Sequence, residues 1–384
     1  MVYLTSFLIA SAPKLTNWIG ILIYKLYGVI GNFGWTVVVF TIILKLILSP
    51  LDIWQKRSML KNNRAMKVIA PELEKLKKTY ANSPDVLQQK QMELYKKNGY
   101  SMLGGCLPAL LTIVIFFIVF SGFNAAVRYE NERIVYELTQ QYEAVCEMQV
   151  VTAADGAVTY YTSQEYQKAV EEGKITGEVR AITSAEIDEK MIEAYNEEKQ
   201  GWLWIKNVFM SDTYANPVPT QSKFSGRSLG QLGATIPEET ANLDTYKSQY
   251  NNGYDAVMKP AIKAYERSGF FDMKKWNGYF ILPFISILLS VFSVKLNKTT
   301  QPEMPAQSDD EKQKSGQGMM KAMNWMMPIM MGIFALFYSA AFCIYMVMNS
   351  LITVLFNLVY NYIVKKQDAK FEEDRLAATF KKGR

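Results

Sequence analysis

Histidine is absent from all 384 residues. Its absence excludes imidazole acid–base catalysis, histidine-ligated zinc and the common nucleophile–histidine dyads. Cysteine is scarce. Cys106 and Cys343 lie in apolar stretches and Cys146 in a charged one, with no CxxC spacing. Neither a disulfide framework nor a metal site is expected, and no cofactor is implied. Charge is missing locally rather than overall. The net charge is +6 and the hydrophobic fraction 49%, but several windows of roughly 18 to 24 residues are almost wholly apolar, the length of a bilayer crossing. Strongly charged segments separate them. That alternation is the pattern of a polytopic membrane protein.

One apolar window carries a charge. Trp35 to Pro50 reads WTVVVFTIILKLILSP, and Lys45 is its single ionisable residue. A charge in a lipid-facing helix costs about 3 kcal/mol on insertion scales, so such a residue faces a partner, a cavity or the interface. Lys45 stands only five residues before Pro50, roughly 8 Å of helix rise, so snorkelling to the interface is an alternative to a buried role.

In chain order, residues 1–12 are apolar but too short to span. No basic n-region precedes them and no lipobox-type cysteine is present, so neither lipidation nor cleavage is read from them. Residues 14–30 place Trp18, Ile19, Leu22, Ile23, Leu26, Tyr27 and Ile30 on one helical face, as in an interfacial amphipathic helix. The N-terminal segment with this helix is 1–32, and the first crossing is 33–51. A basic segment follows at 52–102, where Pro71 is expected to bend or interrupt a helix. Ser83-Pro84-Asp85 has the form of a helix start. Leu73, Leu76 and Tyr80 face Leu87, Gln91 and Leu94, which predicts an antiparallel helical hairpin.

The second crossing, 103–124, opens with Leu103-Gly104-Gly105-Cys106-Leu107-Pro108. Residues 125–277 form a polar insert. Val145–Thr152 and Ala157–Thr162 alternate around Asp155-Gly156, predicting a β-hairpin. Ser184–Lys199 reads as a charged helix, Thr213–Pro237 as irregular, and Ala241–Arg267 as partly helical. Three more crossings follow at 278–296, 322–339 and 340–364, with a polar linker at 297–321 and a tail at 365–384. The expected fold is an all-α polytopic membrane protein: a five-helix transmembrane core, a cytoplasmic helical hairpin and a small mixed α+β extracellular insert.

Loop charge sets the expected orientation. Residues 52–100 hold 11 Lys/Arg against 5 Asp/Glu, whereas 125–278 hold 16 basic and 23 acidic residues. The positive-inside rule puts the hairpin, the linker and the C-terminus in the cytoplasm, with the insert and the N-terminus outside.

This order of elements resembles the YidC family of membrane protein insertases. The likeness rests on Gly31-Asn32-Phe33-Gly34-Trp35, Pro50-Leu51, Pro71-Glu72-Leu73 and Leu94-Tyr95-Lys96-Lys97. It is strongest at Leu103–Pro108 and resumes at Trp202-Leu203-Trp204-Ile205, Ile281-Leu282-Pro283, Met327-Pro328 and Tyr345–Thr353. It implies a hydrophilic groove inside a bacterial plasma membrane, open to the cytoplasm and closed outside. A basic residue projects into that groove. Many bacterial members carry arginine there, and Lys45 takes the position here. Lysine keeps the charge but loses the planar fork.

The resemblance further implies no enzymatic step. Hydrophilic segments of nascent membrane proteins enter the groove. Their apolar segments slide along the protein–lipid boundary near Phe116, Phe117, Ile329 and Phe334. Thr112, Asn349, Ser350, Thr353 and Asn357 are candidate groove groups, although hydrogen bonding between helices would use the same residues. Implied partners are nascent membrane proteins, the Sec translocon, the ribosome and anionic lipids, with no nucleic acid beyond ribosome contact. A transporter or channel is the alternative. Inverted repeats and paired intramembrane charges would mark one, and the sequence shows Lys45 alone and no repeat. The long insert lies outside the resemblance.

Overall fold

The computed structural model describes residues 13–99, 102–226, 243–296, 332–333 and 335–382. The leading segment 1–12, the whole linker and most of the fourth crossing lie outside the described residues. The protein is helical, with one small sheet. Its helices are α1 (Trp18–Ile30), α2 (Phe33–Thr79), α3 (Pro84–Lys97), α4 (Met102–Cys146), α5 (Ser163–Glu171), α6 (Ser184–Glu198), α7 (Gln221–Gly226), α8 (Leu243–Ala264), α9 (Ile281–Leu296) and α10 (Ala340–Lys382). Three of them, α2, α4 and α10, contain stretches long and apolar enough to cross a membrane. The 16 residues of α9 rise about 24 Å, short of a typical hydrocarbon core. Exposed apolar side chains such as Leu46, Ile47, Val114, Phe117, Phe284 and Leu355 cover these helices. Faces of that kind suit lipid rather than water. The chain is an all-α polytopic membrane protein.

Two compact units divide the described residues: one within Met1–Thr36, Phe120–Ile281 and Tyr338–Phe342, the other within Val37–Val119, Leu282–Phe337 and Cys343–Arg384. In the first, the motif at 31–35 has a physical cause at each position. Gly31 ends α1 at φ 76°, in the left-handed region that favours glycine. The Asn32 side chain accepts from the Trp35 N–H at 3.1 Å and donates to the Gly201 carbonyl at 3.0 Å. Phe33 packs edge-on against Phe209. Gly34 leaves no room for a Cβ, because the Trp202 ring lies against its backbone. Trp202 and Ile205 exchange backbone bonds across a tight turn, so the ring is held where Gly34 and Trp35 meet it.

The loop after that turn is a clasp. Its carbonyls at Met210 and Val208 accept from the Ala340 and Ala341 N–H groups, each at 2.8 Å, satisfying orphan donors at the start of α10. Two buried asparagines lock it. The Asn207 amide donates to the Tyr195 hydroxyl and the Pro217 carbonyl, and its oxygen accepts from the Phe209 N–H. Asn277 donates to the Asn207 and Ser211 carbonyls and accepts from the Asn207 N–H. Asp212, also buried, accepts from the Tyr279 N–H and the Trp204 indole.

The rest of the insert corrects several expectations. The predicted hairpin is present as β1 (Gln149–Thr152) and β2 (Val158–Tyr161). Val145, expected in its first strand, instead ends α4, which runs unbroken past Asn124 to Cys146. Beyond the apolar stretch, α4 buries Ile134, Val135 and Leu138 against protein, so the polar sequence there is helix rather than loop. A third strand, β3 (Glu178–Ala181), pairs antiparallel with β1, giving the order β2-β1-β3. Helix α5 was also unforeseen. The carboxylates of Glu130, Glu137 and Glu198 converge, but on the Arg133 guanidinium rather than on one another.

In the second unit, α2 passes through both Pro50 and Pro71 without interruption, where a bend or an interruption was expected at Pro71 and an end near Pro50. Proline removes the bond to the carbonyl four residues earlier. At Pro50 the Ser49 hydroxyl donates to that carbonyl, of Leu46, at 2.8 Å, so no acceptor is orphaned. Of the residues expected to face one another in the hairpin, Leu73, Leu76 and Leu94 meet in one cluster, which does not include Tyr80, Leu87 or Gln91. Leu73 and Leu94 bury together with Met66 and Ile69, and Leu76 and Tyr95 pack against them. Ser83 precedes α3 with Pro84 at its first position, but its side chain makes no capping bond. Its backbone, at φ −135° and ψ 77°, departs from the extended conformation a cap requires.

Candidate functional site

Lys45 lies on α2 with its side chain 15% exposed. The sequence presents it as a lone charge, and the structure corrects this. Its ammonium meets the Asp52 carboxylate at 3.4 Å, seven residues and about two turns further along the helix. Asp52 is 26% exposed. The pair therefore straddles Pro50 at the end of the apolar stretch and does not stand at its centre. The contact is long for a charge-assisted bond, which closes to about 2.8 Å when tight. Part of the hydrogen-bonding capacity of both groups stays available.

A second lysine extends the cluster. Lys56 follows Asp52 by one turn, on the same side of α2. Both Asp52 and Lys45 are near enough to act on it electrostatically. Its ammonium donates to the side-chain oxygen of Asn357 on α10 and lies over the rings of Phe356 and Tyr360, 5.4 and 5.1 Å from their centroids. Ring faces attract cations, and the apolar stem packs along them. Asn357 is fully buried, and its amide reaches the Ser293 hydroxyl on α9 at 3.4 Å. Asn361, one turn on, donates to the Leu296 carbonyl. A polar seam thus joins α2, α9 and α10.

Among the predicted groove residues, Lys45 and Asn357 belong to this seam, but Asn357 answers Lys56. Thr353 spends its hydroxyl on the Asn349 carbonyl of its own helix, at 2.7 Å. Asn349 and Ser350 are half-buried on α10. Thr112 lies on α4, with its side chain outside the described residues. Of the boundary residues, Phe116 and Phe117 form an edge-on pair and Phe117 is 60% exposed, whereas Ile329 and Phe334 fall outside the described residues. The side chains of Leu103–Pro108, the most distinctive motif, do so as well. Asp52 and Lys56 were missed as site residues because they sit in a charged run. The spacing 45, 52, 56 along one helical stripe was the available signal.

Sequence comparison bears on what this seam belongs to. A bacterial protein of Fusobacterium nucleatum named membrane protein insertase YidC is 42% identical over 98 residues, 26% of this chain and 46% of that protein. Proteins of the same name from Helicobacter pylori and Leptospira interrogans are 38% and 37% identical over 115 and 107 residues, 30% and 28% of this chain. The matched stretches span 20% and 16% of those two relatives, so the chain covers less than half the length of each of the three. The family described as 60Kd inner membrane protein matches residues 25–368, nearly the whole chain and every element of the seam and the clasp. The chain belongs to the 60Kd inner membrane protein family.

Proposed function

We propose that this protein is a membrane protein insertase that receives hydrophilic segments of nascent membrane proteins at Lys45 and releases apolar segments into the bilayer. The observation that supports it most is the Lys45–Asp52 contact, a partly buried cation held loosely by a carboxylate beside an apolar span. A client carboxylate competes with Asp52 for the ammonium. Attraction between charges is stronger there than in bulk water. No bond is made or broken. The work is to lower the cost of bringing polar groups into lipid.

In this reading Thr112, Asn349, Ser350, Thr353 and Asn357 line the polar path with Lys45. Phe116, Phe117, Ile329 and Phe334 form the boundary along which client helices leave. The five crossings run with the N-terminus outside and the C-terminus in the cytoplasm of a bacterial plasma membrane. The basic hairpin meets anionic lipid, the ribosome and incoming clients, and the Sec translocon is a further partner. The acidic insert faces outward.

Insertion of an acidic-tailed client into proteoliposomes tests the mechanism. Lys45→Glu is expected to lower insertion at least about tenfold, since a lost attraction of about 1.4 kcal/mol already gives that factor. Lys45→Arg keeps the charge and is expected to retain activity. Wild-type insertion by Lys45→Glu would remove the mechanism.

A further inference from the structure

A cavity of about 580 Å³ opens beyond the Lys45 seam, between the first hairpin helix and the far half of α10. Its size falls within the range of ligand sites, roughly 300 to 1,000 Å³. One wall is cationic. Arg57, Lys61 and Arg64 line it from α2, at spacings of four and three that put them on one stripe. The opposite wall is apolar, with Phe356, Val359 and Ile363 from α10. Val359 and Ile363 are also 61% and 48% exposed, so this wall continues into the uncovered apolar face of the helix. The cavity sits where both helices leave their apolar stretches, at the level of a bilayer interface.

We infer that this cavity binds the phosphate headgroup of one anionic phospholipid, with its acyl chain lying along α10. The two walls demand one molecule with an anionic end and an apolar end. The apolar wall runs outward onto a face that only lipid or a hydrophobic client would cover, and a lipid reaches it by lateral diffusion. Basic pockets between membrane helices are suited to anionic headgroups. The cavity adjoins the seam through Phe356 and Tyr360, whose rings also lie under the Lys56 ammonium, but the proposal uses neither Lys45 nor Asp52 and does not depend on the insertase reading.

The purified full-length protein in neutral detergent, titrated with phosphatidylglycerol or phosphatidylcholine of the same chains and followed by native mass spectrometry, tests it. Wild type is expected to retain one phosphatidylglycerol and to release phosphatidylcholine. At about fivefold per cation near an anionic surface, Arg57→Gln with Lys61→Gln is expected to weaken retention about 30-fold. Lys168→Gln with Lys259→Gln, an equal charge loss in the insert, is expected to leave it unchanged. Val359→Asn with Ile363→Asn is expected to weaken it as well, with circular dichroism confirming that the variants are folded. Equal retention in the two charge variants, or of the two lipids, would overturn the proposal. Displacement by millimolar inorganic phosphate would reduce the site to an anion site. Displacement by an acidic-tailed client peptide would assign it to the client instead.

Discussion

The clasp and the Lys45 seam both place polar groups among apolar neighbours, and they do so in opposite ways. In the clasp, Asn207 and Asn277 use both amide hydrogens and the oxygen, every bond lying between 2.8 and 3.0 Å. Every donor is used, and only one lone pair on each amide oxygen is left over. In the seam, Lys45 and Asp52 meet at 3.4 Å with both side chains partly exposed. An ammonium has three donors and a carboxylate about four acceptor sites, so neither group is saturated. A satisfied network fixes a geometry. An unsaturated pair can exchange partners.

Breaking the clasp should cost the most. Asn277→Leu leaves the buried Asn207 N–H without its partner and removes one of two bonds to each of the Asn207 and Ser211 carbonyls, which keep the Met210 and Thr213 N–H groups. At about 1 to 3 kcal/mol for the abandoned donor and about 0.5 to 1 kcal/mol for each lost bond, the expected loss is roughly 2 to 4 kcal/mol. Thermal unfolding of the purified protein reads it directly, and a change below about 1 kcal/mol would mean that the network is not a lock. Asp52→Asn sharpens the contrast from the other side. Its stability effect should stay within about 1 kcal/mol, the range of solvent-accessible pairs. Capture of an acidic-tailed client, measured by crosslinking next to Lys45, should rise about two- to fivefold as the competitor disappears. Unchanged or reduced capture would show that Asp52 does not compete.

The smallest effect belongs to the surface of the insert. Hydrogen bonds from Arg180, then from the Thr183 hydroxyl and N–H, hold the Glu186 carboxyl well below the usual range. A depressed folded-state value gives stability that is present above the unfolded value of about 4.3 and drains away as pH falls through the folded one. The stability difference between wild type and Glu186→Gln should therefore shrink as pH falls below about 4. A difference that grows on acidification would reverse the assignment.

Much of this was legible in local sequence. The stripes at Leu73, Leu76 and Leu94 announced the hairpin, and the apolar windows announced the spans. What escaped was non-local or compensated. All four β3 residues are exposed, so no alternation marked the strand, and its partner β1 is distant in sequence. Helix α5 did carry a signal, the reciprocal Thr162–Glu165 capping box. The continuity of α2 was hidden because Pro50 reads as a stop unless Ser49 is known to supply the missing bond. Asp52 looked like one acid among many bases, and its seven-residue spacing from Lys45 became a signal only once α2 was seen to continue through Pro50.

The uninterrupted backbone of α2 has a mechanical corollary. From Lys45 to Leu73, the hairpin contact, lie 28 residues of one helix, about 42 Å of rod. Pro50 and Pro71 each remove one ladder bond along it, but the helix does not end at either. Under the proposed function, a ligand gripping the basic arm would be coupled through this rod to the carboxylate exchange at the other end.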